Sequence, residues 1–387
     1  MIQAFISNSP FFVCFFWLLV LVQKPARNTA HTCLCVYMAV CVCLFFCHAA
    51  FFNHEYALYY AIDVVYSSTS MAVYPLFYLY IRALTKGGAV WRYGWVLLPT
   101  LLFTVLQALL YAIMPDEEQT HFIHQIIFGE PGSYAFSKIG NSQLFLLFSN
   151  RAFYALQCVL VVVAGSKLII DYHRRLMEFY ADTEDKRLQK LLVILYVFIF
   201  CSLVSGACNF IGRPFFANNP WMLAIPSFLY SGLLFIIGHF GYEVSFTNED
   251  FERDLQQVAS LEKEVVIPSS NQTLPQELAQ RLKHLIEEET LFKQADLRIS
   301  DCVARLHTNR TYLSQVINQQ LQTSFSDLIN TYRIDYAKQL MRQYEELSLK
   351  EIGEMAGFSG DSSFYRAFKK AEGVPPGEWR HSATKRK

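Results

Sequence analysis

Three groups of side chains have the types and spacing to do chemistry. The first lies near the C-terminus. Over 309–321, NRTYLSQVINQQL, apolar Leu313, Val316 and Ile317 fall on one helical face, and Asn309, Arg310, Thr311, Ser314, Gln315 and Asn318 fall on the other. Side chains of this kind match the edges of bases: Gln bonds bidentately to adenine, and Arg to guanine. The second group sits inside apolar segments: Asp63, Asn150, Arg151 and His239. A charge at mid-membrane costs roughly 2.5–3.5 kcal/mol on insertion scales, so such residues face a bundle interior and find a partner. Asp63 and Arg151 are expected to pair there, either as a structural charge pair or as part of a ligand-sensing site. The third group, Asp116, Glu117, Glu118, His121, His124 and Glu130, belongs to the segment 114–143. Carboxylates and imidazoles one turn apart suit a metal or cationic ligand, or else an ordinary solvated acidic loop. Asp63, Arg151, His121 and His124 are the candidate signal-sensing residues.

The ten cysteines offer little. Nine lie in apolar stretches, where they read as small apolar residues; Cys43 and Cys47, one turn apart, would need a second pair to complete a four-ligand metal site. No phosphate loop, kinase-type histidine box, zinc-protease motif or nucleophile elbow occurs, so an enzyme has no support and no cofactor or metal is implied.

The elements that position these groups fall into two unlike halves. The chain is 53% hydrophobic and only 17% charged, against about 25% charged in a soluble domain. A helix needs about 20 mostly apolar residues to cross a bilayer. Seven segments qualify as expected spans, at about 5–22, 33–52, 57–81, 93–113, 144–166, 191–212 and 221–242. The first lacks a basic start, and its charges Lys24 and Arg27 follow it, which retains it as a span rather than marking it for removal. One set of loops holds Lys24, Arg27, Arg82, Lys86, Arg92, Lys167, Arg174, Arg175, Lys186, Arg187 and Lys190; the other holds little beyond Lys138 and Arg213. The positive-inside rule then places the N-terminus outside and the C-terminus in the cytoplasm.

Charge divides the remainder. Residues 249–290 carry 4 Lys and Arg against 10 Asp and Glu, and residues 291–387 carry 15 against 11. The apolar spacing of Phe251, Leu255, Val258, Leu261 and Val265 predicts an amphipathic helix, either a short coiled-coil contact between two copies or a helix docked on its own domain. PSSNQTLP, 268–275, reads as a polar loop. The acidity of this region should hold the basic end off an anionic membrane surface.

From Gln276 the pattern is helical, with Leu278, Leu282, Leu285 and Ile286 on one stripe. A short helix, LRISDCVARL (297–306), a turn at His307-Thr308 and the polar-faced helix from Asn309 make a helix-turn-helix arrangement. It recurs: LSLKEIGEMAGF (347–358) aligns with LRISDCVARLHT (297–308), 50 residues earlier, and SGDSSFYRAFKK follows as NRTYLSQVINQQ does. Ser348 and Glu351 form a capping box, as do Ser324 and Asp327. Between the units, Phe325, Leu328, Ile329, Tyr332, Tyr336, Ala337, Leu340 and Met341 give one continuous apolar face. A long buried helix of this sort would hold two reading heads rigidly, for successive major grooves about 34 Å apart.

Residues 276–382 resemble the DNA-binding domain of the AraC family of transcriptional regulators. TYLSQVIN, FSDLINTYRIDYAKQLM and above all IGEMAGFSGDSSFYRAFKKAEGVPPGEWR carry the resemblance. In the last run Gly357-Phe358 close a helix, Phe364 and Phe368 belong to the core, Gly373 ends the second reading helix, and Pro375-Pro376 and Trp379-Arg380 follow. The membrane half is similar, less specifically, to multi-span regions fused to such domains in some bacteria, through PLFYLYIRALT (75–85). The first unit departs from the pattern: Val303 stands for the usual small residue, His307 for the turn glycine and Gln322 for the glycine after the reading helix, which requires a left-handed conformation of Gln322.

The resemblance implies base contacts from Thr311, Ser314 and Gln315 in the first unit and from Asp361, Ser362, Ser363 and Arg366 in the second. Arg310, Lys350, Lys369, Lys370 and Arg380 suit phosphates, which position without specifying. Lys385-Arg386-Lys387 reads as a basic tail. The expected architecture is all-α: a bundle of about seven transmembrane helices (1–243), an acidic cytoplasmic linker (244–275) and a double helix-turn-helix domain (276–387). The expected protein is a regulator of the bacterial inner membrane that binds double-stranded DNA, couples a small-molecule or protein signal to transcription through RNA polymerase, contacts lipid, and forms a homodimer if the amphipathic helix is a coiled coil. The alternative is a membrane-tethered DNA-binding protein governed by a partner membrane protein.

Overall fold

The computed structural model describes residues 2–25, 28–183, 189–211, 220–244, 246–264 and 274–384. Arg27, Lys186, Arg187, Arg213, most of the 268–275 loop and the basic tail lie outside them. The chain forms two compact units: residues 1–169 with 188–249, and residues 170–187 with 250–387. Among the described residues the secondary structure is helical, apart from one isolated antiparallel bridge between Tyr180 and Arg298.

The first unit contains α1 (Ile2–Gln23), α2 (Thr29–Phe52), α3 (Tyr56–Lys86), α4 (Leu98–Ile113), the short α5 (Asp116–His121), most of α6 (Lys138–Met177), α7 (Gln189–Ile211) and α8 (Pro220–Glu243). Five segments are long and apolar enough to cross a membrane: Ala4–Gln23, Thr29–Phe52, Val90–Ile113, Lys138–Met177 and Trp221–Gln257. The expected span 57–81 falls in α3, whose tyrosines and serines lower its hydropathy, and whose second half is packed against other helices. It packs on α2 and α4, its Tyr74 hydroxyl donates to Tyr154 of α6 at 2.9 Å, and its Phe77 ring lies 4.9 Å from Phe198 of α7. Most positions from Met71 to Thr85 are buried, while Leu58 and Val65 nearer its start are exposed; the buried half needs less apolar surface than a lipid-facing helix. The expected span 191–212 falls in α7, whose described apolar run is the shorter Leu191–Val204. On α4, by contrast, Leu98, Leu101, Leu102, Val105, Leu109 and Ile113 are exposed, a face suited to lipid. α6 has 40 residues, about 60 Å of helix and twice what a bilayer core requires.

The second unit begins with the last turns of α6 and the segment after it, then α9 (Asn248–Glu264), α10 (Pro275–Glu288), α11 (Ile299–Leu306), α12 (Arg310–Gln320), α13 (Phe325–Gln343), α14 (Leu349–Met355), α15 (Asp361–Glu372) and α16 (Pro376–Thr384). α10 packs on α11 and α12, burying Leu278, Leu282, Ile286, Ile299, Cys302, Leu306, Leu313 and Ile317. A second core joins Ile334, Ala337, Leu340 and Met341 of α13 to Ile352, Ala356, Phe358, Phe364 and Phe368. Phe251 of α9, expected on the apolar stripe, is buried against Phe179 of the same unit, with ring centroids 5.5 Å apart. At that residue the helix docks on its own domain.

Candidate nucleic-acid interface

Local chemistry builds each reading helix. In the second unit Ser348 caps α14: its hydroxyl accepts from the Glu351 amide at 3.2 Å, and the Glu351 carboxylate accepts from the Ser348 amide at 2.8 Å. Those bonds hold the Glu351 carboxyl below its ordinary range. The turn then needs Gly357. Its φ is +91°, and a Cβ there would lie 2.4 Å from the Phe292 carbonyl oxygen. α15 follows, with Phe364 and Phe368 fully buried and Asp361, Ser362, Arg366, Lys369 and Lys370 exposed. Gly373, at φ +77°, ends it.

The first unit repeats this backbone with different residues. The Arg298 amide donates to Asp301 at 2.7 Å at the start of α11. His307 takes φ +53° at the turn, and Gln322 takes φ +49° after α12. Both are left-handed, as the departure from glycine required. Asn309 caps α12 by accepting from the Tyr312 amide at 2.8 Å. Leu313, Val316 and Ile317 are buried, while Thr311, Gln315 and Asn318 are exposed and Ser314 is half-buried. Cys302 lies under this face, and burial pushes its thiol up to about 12, so it is inert packing.

The two units thus present two polar-faced helices, α12 and α15, with α13 between them in the chain. Residues 302–382 match a helix-turn-helix domain family. Transcriptional regulators resemble the same region. The HTH-type transcriptional regulator YtdP of Bacillus subtilis is 30% identical over 103 residues, 27% of this chain and 13% of that protein. The xylose operon regulatory protein of Haemophilus influenzae is 30% identical over 84 residues, 22% of this chain and 21% of that protein. The Msm operon regulatory protein of Streptococcus mutans is 29% identical over 86 residues, 22% of this chain and 31% of that protein. The chain spans well under half the length of the curated relatives it matches. No solved structure matches. The C-terminal region is therefore a helix-turn-helix domain of the kind found in DNA-binding regulators.

Not every expected contact residue faces outward. Ser363 is buried, and its hydroxyl donates to the Gly360 carbonyl at 2.8 Å. Arg380 donates to the Leu347 carbonyl at 2.6 Å and to the carbonyls of Tyr344 and Glu345, tying α16 to the entry of α14. Lys370 is exposed and bonds Asp327 at 2.6 Å. Arg310 is half-buried, and Lys350 and Lys369 are exposed.

Arg333 went unnoticed in the sequence because it sits on a helix read as purely apolar on its inner side. It is fully buried. Its Nε donates to the Phe292 carbonyl at 2.7 Å and one terminal nitrogen to the Gln294 carbonyl at 2.6 Å, while the guanidinium lies 5.4 Å from the Phe358 ring. Burial pulls it down to about 10, so it stays charged at neutral pH. One side chain of α13 thus holds both the segment preceding α11 and the turn preceding α15.

In the first unit Asp63 is buried and accepts from Gln107 Nε2 at 3.0 Å and from the Tyr111 hydroxyl at 2.8 Å. Arg151 is exposed, its guanidinium 5.8 Å from the Phe148 ring. Within the 114–143 segment residues 118–128 form a folded cap, while Asp116, Glu117 and most of 129–137 are exposed. Phe122, Ile123, Ile127 and Phe128 pack on Phe51, Tyr59 and Tyr111. Glu118, buried, accepts from the Ser137 amide at 2.7 Å. His124 Nδ1 meets Glu130 at 2.8 Å, and Tyr56 donates to Glu130 at 2.8 Å; these bonds hold the Glu130 carboxyl below its ordinary range. His121 stacks on Tyr134 with ring centroids 4.3 Å apart. Among the described residues no group of three or more metal-ligating side chains gathers.

Proposed function

We propose that this chain is a membrane-bound, sequence-specific regulator of transcription, in which the N-terminal bundle receives a signal and the C-terminal domain reads DNA. The observation that carries the reading is the pair of polar-faced helices α12 and α15, separated by the long helix α13, in a chain that also holds five helices apolar enough to cross a bilayer. Thr311, Ser314 and Gln315 read bases from the first unit, and Asp361, Ser362 and Arg366 from the second. Ser363 sets the first turn of α15 beneath them. Arg310, Lys350, Lys369 and Lys370 meet phosphates, and Arg380 braces the frame. The N-terminus lies outside and the C-terminal domain in the cytoplasm. The cap around His121 and His124 and the buried Asp63 network are the receiving ends for the signal.

The test is selection of binding sites from a random duplex pool by the full chain in detergent, followed by footprinting. Protection of two successive major grooves on one face of the duplex is expected. Absence of any enriched sequence would sink the reading, and protection of one groove would reduce the first unit to a support. Reporter fusions within 114–142 should read outside, and fusions after 249 cytoplasmic.

A further inference from the structure

The segment that follows α6 is built into the DNA-binding unit. α6 ends at Met177, and the next residues bury themselves: Phe179 and Ala181 are fully buried and Tyr180 nearly so. The backbone pairs with the strand-like entry to α11. The Ala181 amide donates to the Leu297 carbonyl, and the Ile299 amide to the Phe179 carbonyl, both at 2.9 Å. Arg298 meets Asp254 of α9 at 3.2 Å, and the Tyr180 hydroxyl donates to the same carboxylate. The buried Ser326 hydroxyl, in the first turn of α13, donates to the Ala181 carbonyl at 2.8 Å. Beyond this anchor stands Asp182. Its carboxylate accepts from both the Ser359 amide, at 3.2 Å, and the Ser359 hydroxyl, at 2.6 Å. Ser359 immediately precedes Gly360, the residue that opens α15.

Backbone and hydroxyl donors at the head of a reading helix are where a duplex phosphate binds, because the helix end favours an anion. The Asp182 carboxylate occupies those donors at Ser359, two residues before Asp361. We propose that residues 179–182 form an autoinhibitory strap: Phe179 and Tyr180 anchor it, and Asp182 blocks and repels the phosphate that α15 needs. The proposal rests on the DNA-binding reading above. The strap is covalently continuous with α6, one of the five helices long and apolar enough to cross a membrane, so a shift of that helix is transmitted directly to residue 182. Release withdraws the whole segment: Phe179 and Tyr180 leave their buried places together with Asp182.

The test uses the full chain in detergent and a duplex of about 30 base pairs, long enough for two successive major-groove sites, enriched from a random pool by the Asp182→Ala chain. Asp182→Ala should bind it about tenfold more tightly than the wild type, the order expected for removing a charge close to a phosphate. Asp335→Asn, which removes a carboxylate elsewhere on the same domain, is the charge-matched control and should change affinity little. Tyr180 and Arg298 are a non-hydrogen-bonded antiparallel pair, about 4.5 Å between Cα atoms, which suits a disulfide. The Tyr180→Cys/Arg298→Cys chain should therefore crosslink on oxidation, identified by peptide mass, and bind more weakly oxidised than reduced. Equal affinities of wild type and Asp182→Ala, or of the oxidised and reduced double variant, would overturn the strap while leaving DNA binding intact. Failure of every chain to enrich a duplex would overturn the DNA-binding reading, and the strap with it.

Discussion

The two helix-turn-helix units share a backbone path and differ in what occupies its left-handed positions. The first has His307 and Gln322, at φ +53° and +49°; the second has Gly357 and Gly373, at φ +91° and +77°. Val303 occupies the position in the repeat that Gly353 holds in the second unit, where a Cβ would lie 3.1 Å from the Phe364 ring. The reason is packing rather than the turn itself. Gly357 presses against the backbone of Phe292 and Lys293, with a Cβ position 2.7 Å from the Lys293 Cα; His307 stands exposed. A left-handed turn in the open tolerates a side chain at modest strain, whereas one against another backbone does not. The backbone of the second unit is therefore the more tightly specified of the two.

The sharpest way to break this comparison is Gly357→Ala. It should destabilise the second unit by about 3 kcal/mol, through the clash with Phe292 and the positive φ together. Hydrogen exchange of the α15 amides in the full chain should speed up roughly a hundredfold. A change of only a few fold would mean that the close backbone approach is not what demands glycine. Arg333→Met comes next, at about 2–3 kcal/mol, because it leaves two buried carbonyls without donors. Its mark is exchange that accelerates in both α11 and α15, since Arg333 serves both units. Acceleration confined to one would deny it that joining role.

Function separates the units at a smaller scale. Arg366→Ala should lose about 1–3 kcal/mol of discrimination at one base position, seen as affinities for single-base variants that converge. Lys369→Ala should weaken all variants alike and flatten the salt dependence. Were Arg366→Ala to behave like Lys369→Ala, the base-reading role of the second unit would fall. The smallest effect is a gain. His307→Gly relieves a left-handed turn that has no close contact to lose, and thermal unfolding should show a stabilisation of up to about 1 kcal/mol. A loss instead would show that the His307 side chain contributes packing of its own.

Much of this was legible from local pattern. The apolar faces of α12 and α13 placed Leu313, Val316, Ile317, Phe325 and Ile329 in the core, where they lie. The capping pair Ser348 and Glu351 marked the start of α14. The alignment at a spacing of 50 marked His307 as the equivalent of Gly357. Other features could not be read in this way. Ser363 looked like its exposed neighbours, yet its register on α15 turns it inward. Glu118 looked like part of an acidic loop, yet the cap buries it under Ser137. α3 is less apolar than its neighbours because its polar groups find partners on other helices: Asp63 on Gln107 and Tyr111, and Tyr74 on Tyr154.

Periodicity, capping residues and the repeat are properties of neighbouring residues, and each carries its own free-energy preference before any packing occurs. The sequence by itself therefore determined that the chain is helical, that its two ends differ in apolar composition, and that the C-terminal end repeats a helix-turn-helix pattern. Tertiary structure alone decided which carbonyls Arg333 reaches across about 40 positions of chain, and that residues 179–182 bond to Leu297 and Ser326, more than 100 positions later. Contacts of that kind depend on two distant segments burying each other's polar backbone. No local pattern encodes the partner, only the need for one.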